Sequence, residues 1–90
     1  MQFLVKVKVD VTRLGELGAR LQRNELDRSL LRSETYCLEA DPAVGYSVWE
    51  ASSEAEFEKV FSAWRPYYAE VDVRPAIGPV EALRRLTAQG

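Results

Sequence analysis

The sequence predicts an α+β fold in which a four-stranded antiparallel sheet carries helices on one face only. Three observations predict it. Residues 3–9 alternate as a half-buried strand does, two amphipathic stretches have helical periodicity, and the predicted elements run strand, helix, strand, strand, helix, strand, helix. Ninety residues with 47% hydrophobic and 29% charged side chains suit one globular domain over 1–90.

The first predicted strand, residues 3–9, has one wholly apolar face. Successive side chains of a strand point to opposite faces, so its odd-numbered and even-numbered residues form separate sets. The odd set is Phe3, Val5, Val7 and Val9, and the even set is Leu4, Lys6 and Lys8. We expect the odd set to lie beneath the helices and the even set to face water or a partner.

A short helix and a hairpin follow the first strand. Asp10 or Thr12 can cap a helix that ends at about Arg23. Its apolar stripe is Leu14, Leu17 and Leu21. Residues 30–38 and 44–51 have the composition of two strands, and the short turn between them indicates a hairpin.

The clearest amphipathic helix begins after Ser53. Ser53 and Glu56 have the spacing of a capping box. The stripe that follows is Phe57, Val60, Phe61 and Trp64. Arg65 precedes Pro66, and a residue before proline avoids the helical region, so the helix ends there.

The last predicted strand and helix each contain a proline. Pro75 lies within the strand 71–77 and is typical of an edge strand. Pro79 opens a helix whose predicted buried stripe is Ala82, Leu83 and Leu86. Two right-handed crossovers in this order of elements produce a ferredoxin-like sheet, with strands one and three central and strands two and four at the edges.

Strand parity assigns side chains to the uncovered face of the sheet, called the open face below. For strand three, we expect Val44, Tyr46 and Val48 beneath the helices, which turns Ser47 and Trp49 to the open face. In strand two, the set expected beneath the helices is Leu31, Ser33, Thr35 and Cys37. The open face then carries Lys6, Lys8, Arg32, Arg74, Glu34 and Asp72 among Leu4, Tyr36, Leu38 and Trp49.

A sheet face that mixes cations with large apolar groups suits a partly enclosed pocket for a small anionic or aromatic molecule. The predicted ligand-binding residues are Lys6, Lys8, Arg32, Tyr36, Trp49 and Arg74. Glu34 is the candidate catalytic residue, as a general acid/base. Two other interpretations stay open: these charges form cross-strand ion pairs without a ligand, or the face contacts another protein.

Charge and composition exclude several function classes. The net charge of −2 and pI of about 5.1 argue against nucleic-acid binding. The sequence has no apolar run long enough for a membrane span and no leader pattern, and its single cysteine fits a reducing cytoplasm. Histidine is absent, so we expect no metal site and no cofactor.

Residues 45–50 (GYSVWE), Trp64, residues 71–77 (VDVRPAI) and the Glu-Ala pair at 81–82 resemble the dimeric α/β-barrel superfamily, and more narrowly the uncharacterised DUF3303-type bacterial proteins. The superfamily includes muconolactone isomerases and antibiotic-biosynthesis monooxygenases. The resemblance implies a homodimer whose sheets meet face to face. A small molecule would occupy the barrel interior or the cleft between sheet and helices. It leaves two further interpretations open, a cofactor-independent isomerase or monooxygenase and a non-catalytic dimerisation or ligand-sensing module.

Overall fold

A computed structural model describes residues 1–88, in which a four-stranded sheet is combined with three α-helices. The elements are β1 (Gln2–Val9), α1 (Leu14–Gln22), β2 (Tyr36–Cys37), β3 (Val44–Glu50), α2 (Glu54–Phe61), β4 (Tyr68–Ala76) and α3 (Pro79–Ala88). The strand order is β2-β3-β1-β4, and each neighbouring pair is antiparallel. The predicted ferredoxin-like topology, with strands one and three central, is therefore confirmed.

The helix-covered face of the sheet is filled by aromatic side chains. Phe57 of α2 stacks on Phe3 of β1 with 4.6 Å between ring centroids. Trp49 meets three rings edge-to-face, at centroid distances between 5.5 and 5.9 Å. We call this set the aromatic cluster; it comprises Phe3, Trp49, Phe57, Phe61 and Trp64. The predicted burial of the odd set of β1 is confirmed for Phe3, Val5 and Val7.

A side-chain cap starts α2 where the sequence predicts it. The Ser53 Oγ accepts a hydrogen bond from the Glu56 backbone N–H at 3.1 Å. The reciprocal bond is displaced by one residue, because Glu56 Oε1 accepts from the backbone N–H of Ser52 at 3.1 Å. The pKa of Glu56 is lowered mainly by this hydrogen bond from the Ser52 backbone, and further by a hydrogen bond from the Ser52 side chain.

Helix α1 is fastened to the chain before β4 by a polar cluster around Tyr67. The buried Tyr67 hydroxyl accepts from Arg20 Nη1 at 2.9 Å and donates to Glu16 Oε1 at 3.2 Å. The Arg13 guanidinium lies 4.8 Å from the centre of the same ring. Asp10 caps a single 3₁₀ turn, Val11–Arg13, that leads into the helix. The cluster satisfies a buried hydroxyl and holds one end of α1 against the core.

The predicted phase of strand three is wrong. Directly paired residues share a face, and β3 pairs Trp49 with Phe3 and Ser47 with Val5, so both face the helices. The predicted buried set, Val44, Tyr46 and Val48, points to the open face instead. The reason is packing. On the helix-covered side Trp49 meets three aromatic rings edge-to-face. Gly45 leaves room there for Thr35, whose Cγ2 would lie 3.0 Å from a Cβ at position 45.

Strand two is far shorter than predicted. Within 30–38 the structure describes a strand only at Tyr36–Cys37, with one isolated bridge between Leu31 and Trp49. The Ser33 Oγ accepts the Val48 backbone N–H at 2.9 Å and so replaces a bond of the strand ladder. Cys37, predicted to be buried, is exposed because it lies on this short edge strand.

Helix α3 begins at Pro79 as predicted, but its apolar stripe is not buried within the chain. None of its residues is buried. Val80, Leu83 and Leu86 are 82%, 63% and 69% exposed. At 100° per residue these three side chains share one side of the helix, opposite the charged residues at 81 and 85. No helix within residues 1–88 is long and apolar enough to cross a membrane.

Candidate ligand-binding cleft

Four of the predicted site residues lie on the open face, on which the hollow beside two of them is small. Lys6, Lys8 and Arg74 are on that face by register, and Tyr36 pairs with Tyr46 there. The Lys6 Nζ is 5.9 Å from the Tyr46 ring centre, and Arg74 Nε binds Asp72 Oδ1 at 2.9 Å. The hollow beside Lys6 and Lys8 has a volume of ≈ 120 Å³. Pockets that bind small molecules usually have a volume of about 300 Å³ or more, so this hollow is too small for one.

Three other predicted site residues are elsewhere. Trp49 is only 3% exposed within the aromatic cluster, and its Nε1 donates to Ser47 Oγ at 2.9 Å. Its predicted position on the open face is wrong. Arg32 lies at the rim of the sheet, where its Nη1 donates to the Ser29 carbonyl at 2.9 Å and its Nε is 4.0 Å from Glu50 Oε1. Glu34 lines a separate cavity, next to the helices.

This cavity, called the cleft from here on, has a volume of ≈ 400 Å³. It lies between the end of α1, the loop before β2 and Trp64, which is in the turn that follows α2. Its walls are mostly apolar. The lining residues are Leu21, Arg28, Leu31, Ser33, Glu34, Thr35 and Trp64. The indole Nε1 of Trp64 donates to the Asp27 carbonyl at 3.1 Å, which fixes the ring that forms one wall.

The two ionic side chains of the cleft, Arg28 and Glu34, are not engaged by other residues in the described part of the chain through direct ionic contacts. Neither Arg28 nor Glu34 takes part in a salt bridge or a side-chain hydrogen bond among residues 1–88. By contrast, Glu25 binds two arginines at the neighbouring turn, Arg20 and Arg23. The Arg28 guanidinium therefore retains its donors for a bound carboxylate or phenolate, which it can hold with two parallel hydrogen bonds.

A second groove on the helix side of the sheet, near β4, is less suited to an anion. It has a volume of ≈ 250 Å³, and its floor includes Phe3, Val71 and Val73. Its cation is Arg65, whose Nη2 is already 2.7 Å from Glu58 Oε1 and 3.0 Å from Glu58 Oε2. A ligand anion would have to displace that carboxylate. In the part of the chain that the structure describes, no three metal-ligating side chains cluster.

The cleft residues Leu21, Arg28 and Trp64 were not predicted as site residues. Leu21 and Trp64 complete helical stripes, and such positions are usually core positions. Arg28 lies in a polar connection that has no periodicity. The proximity of Arg28 and Trp64 depends on how the loop 24–35 folds back over the helices, and that path has no signal in the sequence.

Comparison with known proteins bears on the fold. The chain matches no protein-family model and no curated protein sequence. It is similar to the structure of 5-chloro-2-hydroxyhydroquinone dehydrochlorinase (TftG) from Burkholderia phenoliruptrix AC1100 in complex with 2,5-dihydroxybenzoquinone. That likeness has a TM-score of 0.55 and 18% identity, and covers 90% of this chain and 98% of the other.

A second similar structure is that of a Chloroflexus aurantiacus J-10-fl protein assigned to the antibiotic biosynthesis monooxygenases. Its TM-score is 0.44 at 16% identity, and the match covers 86% of this chain and 92% of that one. The dehydrochlorinase likeness agrees with the ferredoxin-like α+β fold, so the predicted resemblance is confirmed at that level. The narrower likeness to DUF3303-type proteins stays a prediction.

Proposed function

We propose that this protein is a homodimer that binds a small aromatic or acidic molecule in the cleft. One observation carries the ligand part of the proposal. The cleft combines apolar walls with the guanidinium of Arg28, which forms no salt bridge with a carboxylate of residues 1–88. Ligand sites typically combine mostly apolar walls with a few polar groups that set orientation.

The shape of the cleft favours a planar ring with an acidic substituent. Leu21, Leu31 and Trp64 supply surfaces on which a ring can pack, and the volume of ≈ 400 Å³ suits a single ring with its substituents. Arg28 would then hold the carboxylate or phenolate. The dehydrochlorinase of the same fold was solved with a ligand of this shape, 2,5-dihydroxybenzoquinone, which supports the choice of ligand class.

The homodimer is proposed from the open face. Leu4, Tyr36 and Leu38 are exposed on it, beside Lys6 and Arg74. A small domain that leaves one sheet face uncovered gains apolar burial when a second copy covers that face. In such a dimer, Lys6, Lys8, Tyr36 and Arg74 would line the interface, where the sequence predicts a ligand site.

A thermal-shift titration tests the ligand site. Benzoate, 4-hydroxybenzoate and 2,5-dihydroxybenzoquinone are the probes, with hexanoate as a non-aromatic acid. We expect the aromatic probes to raise the melting temperature of the wild-type protein. Arg28→Ala should weaken their binding at least about tenfold, because hydrogen bonds to a charged group contribute about 1.5–3 kcal/mol.

The matched control is Arg74→Ala, which removes an exposed arginine from the other face of the sheet. It should leave binding unchanged. Loss of binding in Arg74→Ala with retention in Arg28→Ala would move the site to the open face. No stabilisation by any probe, in a protein whose fold is intact by circular dichroism, would overturn the proposal.

A cofactor-independent isomerase or monooxygenase is the second candidate function, and the position of Glu34 favours it. Its side chain lines the cleft without a described ionic partner, so it can take a proton from a bound ligand and return it elsewhere. For any probe that binds, deuterium exchange of its carbon-bound protons can be followed by NMR. If Glu34 is the base, Glu34→Gln should slow exchange about 100-fold or more while binding persists. Equal exchange would exclude that role.

A further inference from the structure

The polar groups of the cleft differ in whether the chain itself already uses them. The Ser33 Oγ accepts from the Val48 backbone N–H at 2.9 Å and donates to the Glu34 carbonyl at 3.0 Å. The Trp64 Nε1 donates to the Asp27 carbonyl at 3.1 Å. The guanidinium and the carboxylate side chains of the cleft form no salt bridge among residues 1–88. These two ionic groups therefore remain to recognise a ligand.

The charged and the apolar side chains of the cleft lie at different depths. Arg28 and Glu34 are exposed. The apolar lining residues are shielded, since Trp64 is only 6% exposed and Leu21 and Leu31 are half-buried. The apolar side chains thus form the floor of the cleft, and the charged ones are at its mouth. A ligand that fills the cleft would place an apolar group on the floor and its polar groups together at one end.

The mouth of the cleft carries one positive and one negative charge. Arg28 and Glu34 form no salt bridge with each other, so both can contact a ligand. A ligand whose only charge is a carboxylate would bind Arg28 but be repelled by Glu34, because like charges in one cavity repel. A ligand with an adjacent ammonium satisfies both side chains. Its carboxylate accepts from the guanidinium, and its ammonium donates to Glu34.

We propose that the cleft binds a small zwitterion, with an apolar group on the floor and a carboxylate and an ammonium side by side at the mouth. An α-amino acid with an apolar side chain has this arrangement of groups, and an aromatic one would also pack against Trp64. The inference rests on the proposed ligand site and narrows its class of ligand. Glu34 then binds the ligand ammonium and does not act as a base.

Three compounds that share one ring test this proposal by isothermal titration calorimetry. Phenylalanine carries both charges, 3-phenylpropanoate lacks the ammonium, and phenylalaninamide lacks the carboxylate. We expect the wild-type protein to bind phenylalanine about tenfold or more tightly than either of the others, because each of them loses a hydrogen bond between charged groups.

Substitution of the two charged side chains should change this preference in different directions. Glu34→Gln should weaken binding of phenylalanine about tenfold and strengthen that of 3-phenylpropanoate, because it removes the partner of one ligand and the like charge that repels the other. Arg28→Ala should weaken phenylalanine but not phenylalaninamide. The matched control Glu70→Gln makes the same change of charge on the open face, where Glu70 pairs with Lys8, and should leave all three affinities unchanged. Circular dichroism checks that each variant is folded.

Each outcome bears on one or both of the two proposals. Equal affinities for phenylalanine and 3-phenylpropanoate, both unchanged by Glu34→Gln, would overturn the zwitterion and leave a site for aromatic acids. Equal losses for these two ligands in Glu34→Gln would also overturn it, because Glu34 would then only shape the cleft. A folded wild type that binds benzoate but none of the three compounds would overturn this inference alone. Binding of neither benzoate nor these compounds would overturn the proposed ligand site as well.

Discussion

The two faces of the sheet differ sharply in how far the chain can complete them. Phe3 and Leu4 are neighbours on β1, yet Phe3 is 1% exposed beneath α2 and Leu4 is 45% exposed on the other face. The helix-covered face contains the aromatic cluster, whose rings stack or meet edge-to-face around Trp49. One face is therefore stabilised by the chain itself, whereas the stability of the other depends on what covers it.

Loss of the Phe57 ring should destabilise the helix-covered face more than any other change considered for either face. Phe57→Ala should lower the free energy of unfolding by about 3–5 kcal/mol, because it leaves a cavity between Phe3, Trp49 and Phe61. Leu4→Ala should cost less than about 1 kcal/mol in the monomer. Urea denaturation measures both.

Protein concentration distinguishes the faces further. If a second copy covers the open face, the cost of Leu4→Ala grows with concentration, whereas that of Phe57→Ala stays constant. If both variants lose the same free energy of unfolding at every concentration, the chain itself does not stabilise one face of the sheet more than the other.

A smaller effect should appear at alkaline pH and belongs to the helix-covered side. Desolvation raises the pKa of Tyr68, which stacks on Phe61, to about 12 from the ordinary value of 10.0. The fold therefore favours the neutral phenol. Its contribution to stability is fully present below pH 10 and is lost as the pH rises from 10 to 12. A shift of this size is worth at most about 2.7 kcal/mol.

Unfolding by urea at a series of pH values between 9 and 12 measures this loss. Tyr68→Phe should remove that part of the alkaline decline. Tyr36→Phe on the open face serves as the control and should retain it. If the free energy of unfolding falls equally with rising pH in Tyr68→Phe and in the wild type, burial of this hydroxyl does not contribute to the loss of stability.

The charges of the open face should contribute least to the stability of the single chain. Arg74 and Asp72 pair at 2.9 Å, but their side chains are 75% and 52% exposed. Exposed ion pairs contribute roughly 0–1 kcal/mol, so Arg74→Ala should change the free energy of unfolding of the monomer, measured at low protein concentration, by less than about 0.5 kcal/mol. A much larger loss in the monomer that 1 M salt does not reduce would contradict the exposure of this pair.

The sequence predicted the parts of the fold in which a single period dominates. Three patterns each fit one element in one orientation, and the structure agrees with all of them. They are the alternation of residues 3–9, the Ser53 cap and the Phe57 stripe. The order of the elements then determined the strand order, because few topologies satisfy two right-handed crossovers.

Prediction failed where both phases of an element were plausible. Strand three has large apolar side chains on both faces, so its sequence pattern does not show which face lies beneath the helices. The decision comes from Thr35, which approaches Gly45, and from the rings around Trp49, and both are long-range contacts. The candidate site lies in the cleft and not, as predicted, on the open face, because it too depends on long-range contacts. Glu34 and Arg28 meet Trp64 only through the path of an irregular loop.

The edges of the sheet narrow the ways in which two copies can meet. β4 forms one edge, and Pro75 there has no N–H to donate, while charged side chains alternate along it at 70, 72 and 74. β2 forms the other edge with two residues only. Neither edge is a good template for an added strand. Growth of the sheet into a continuous ribbon across molecules is thus discouraged, and so is the fibrous aggregation that such growth permits.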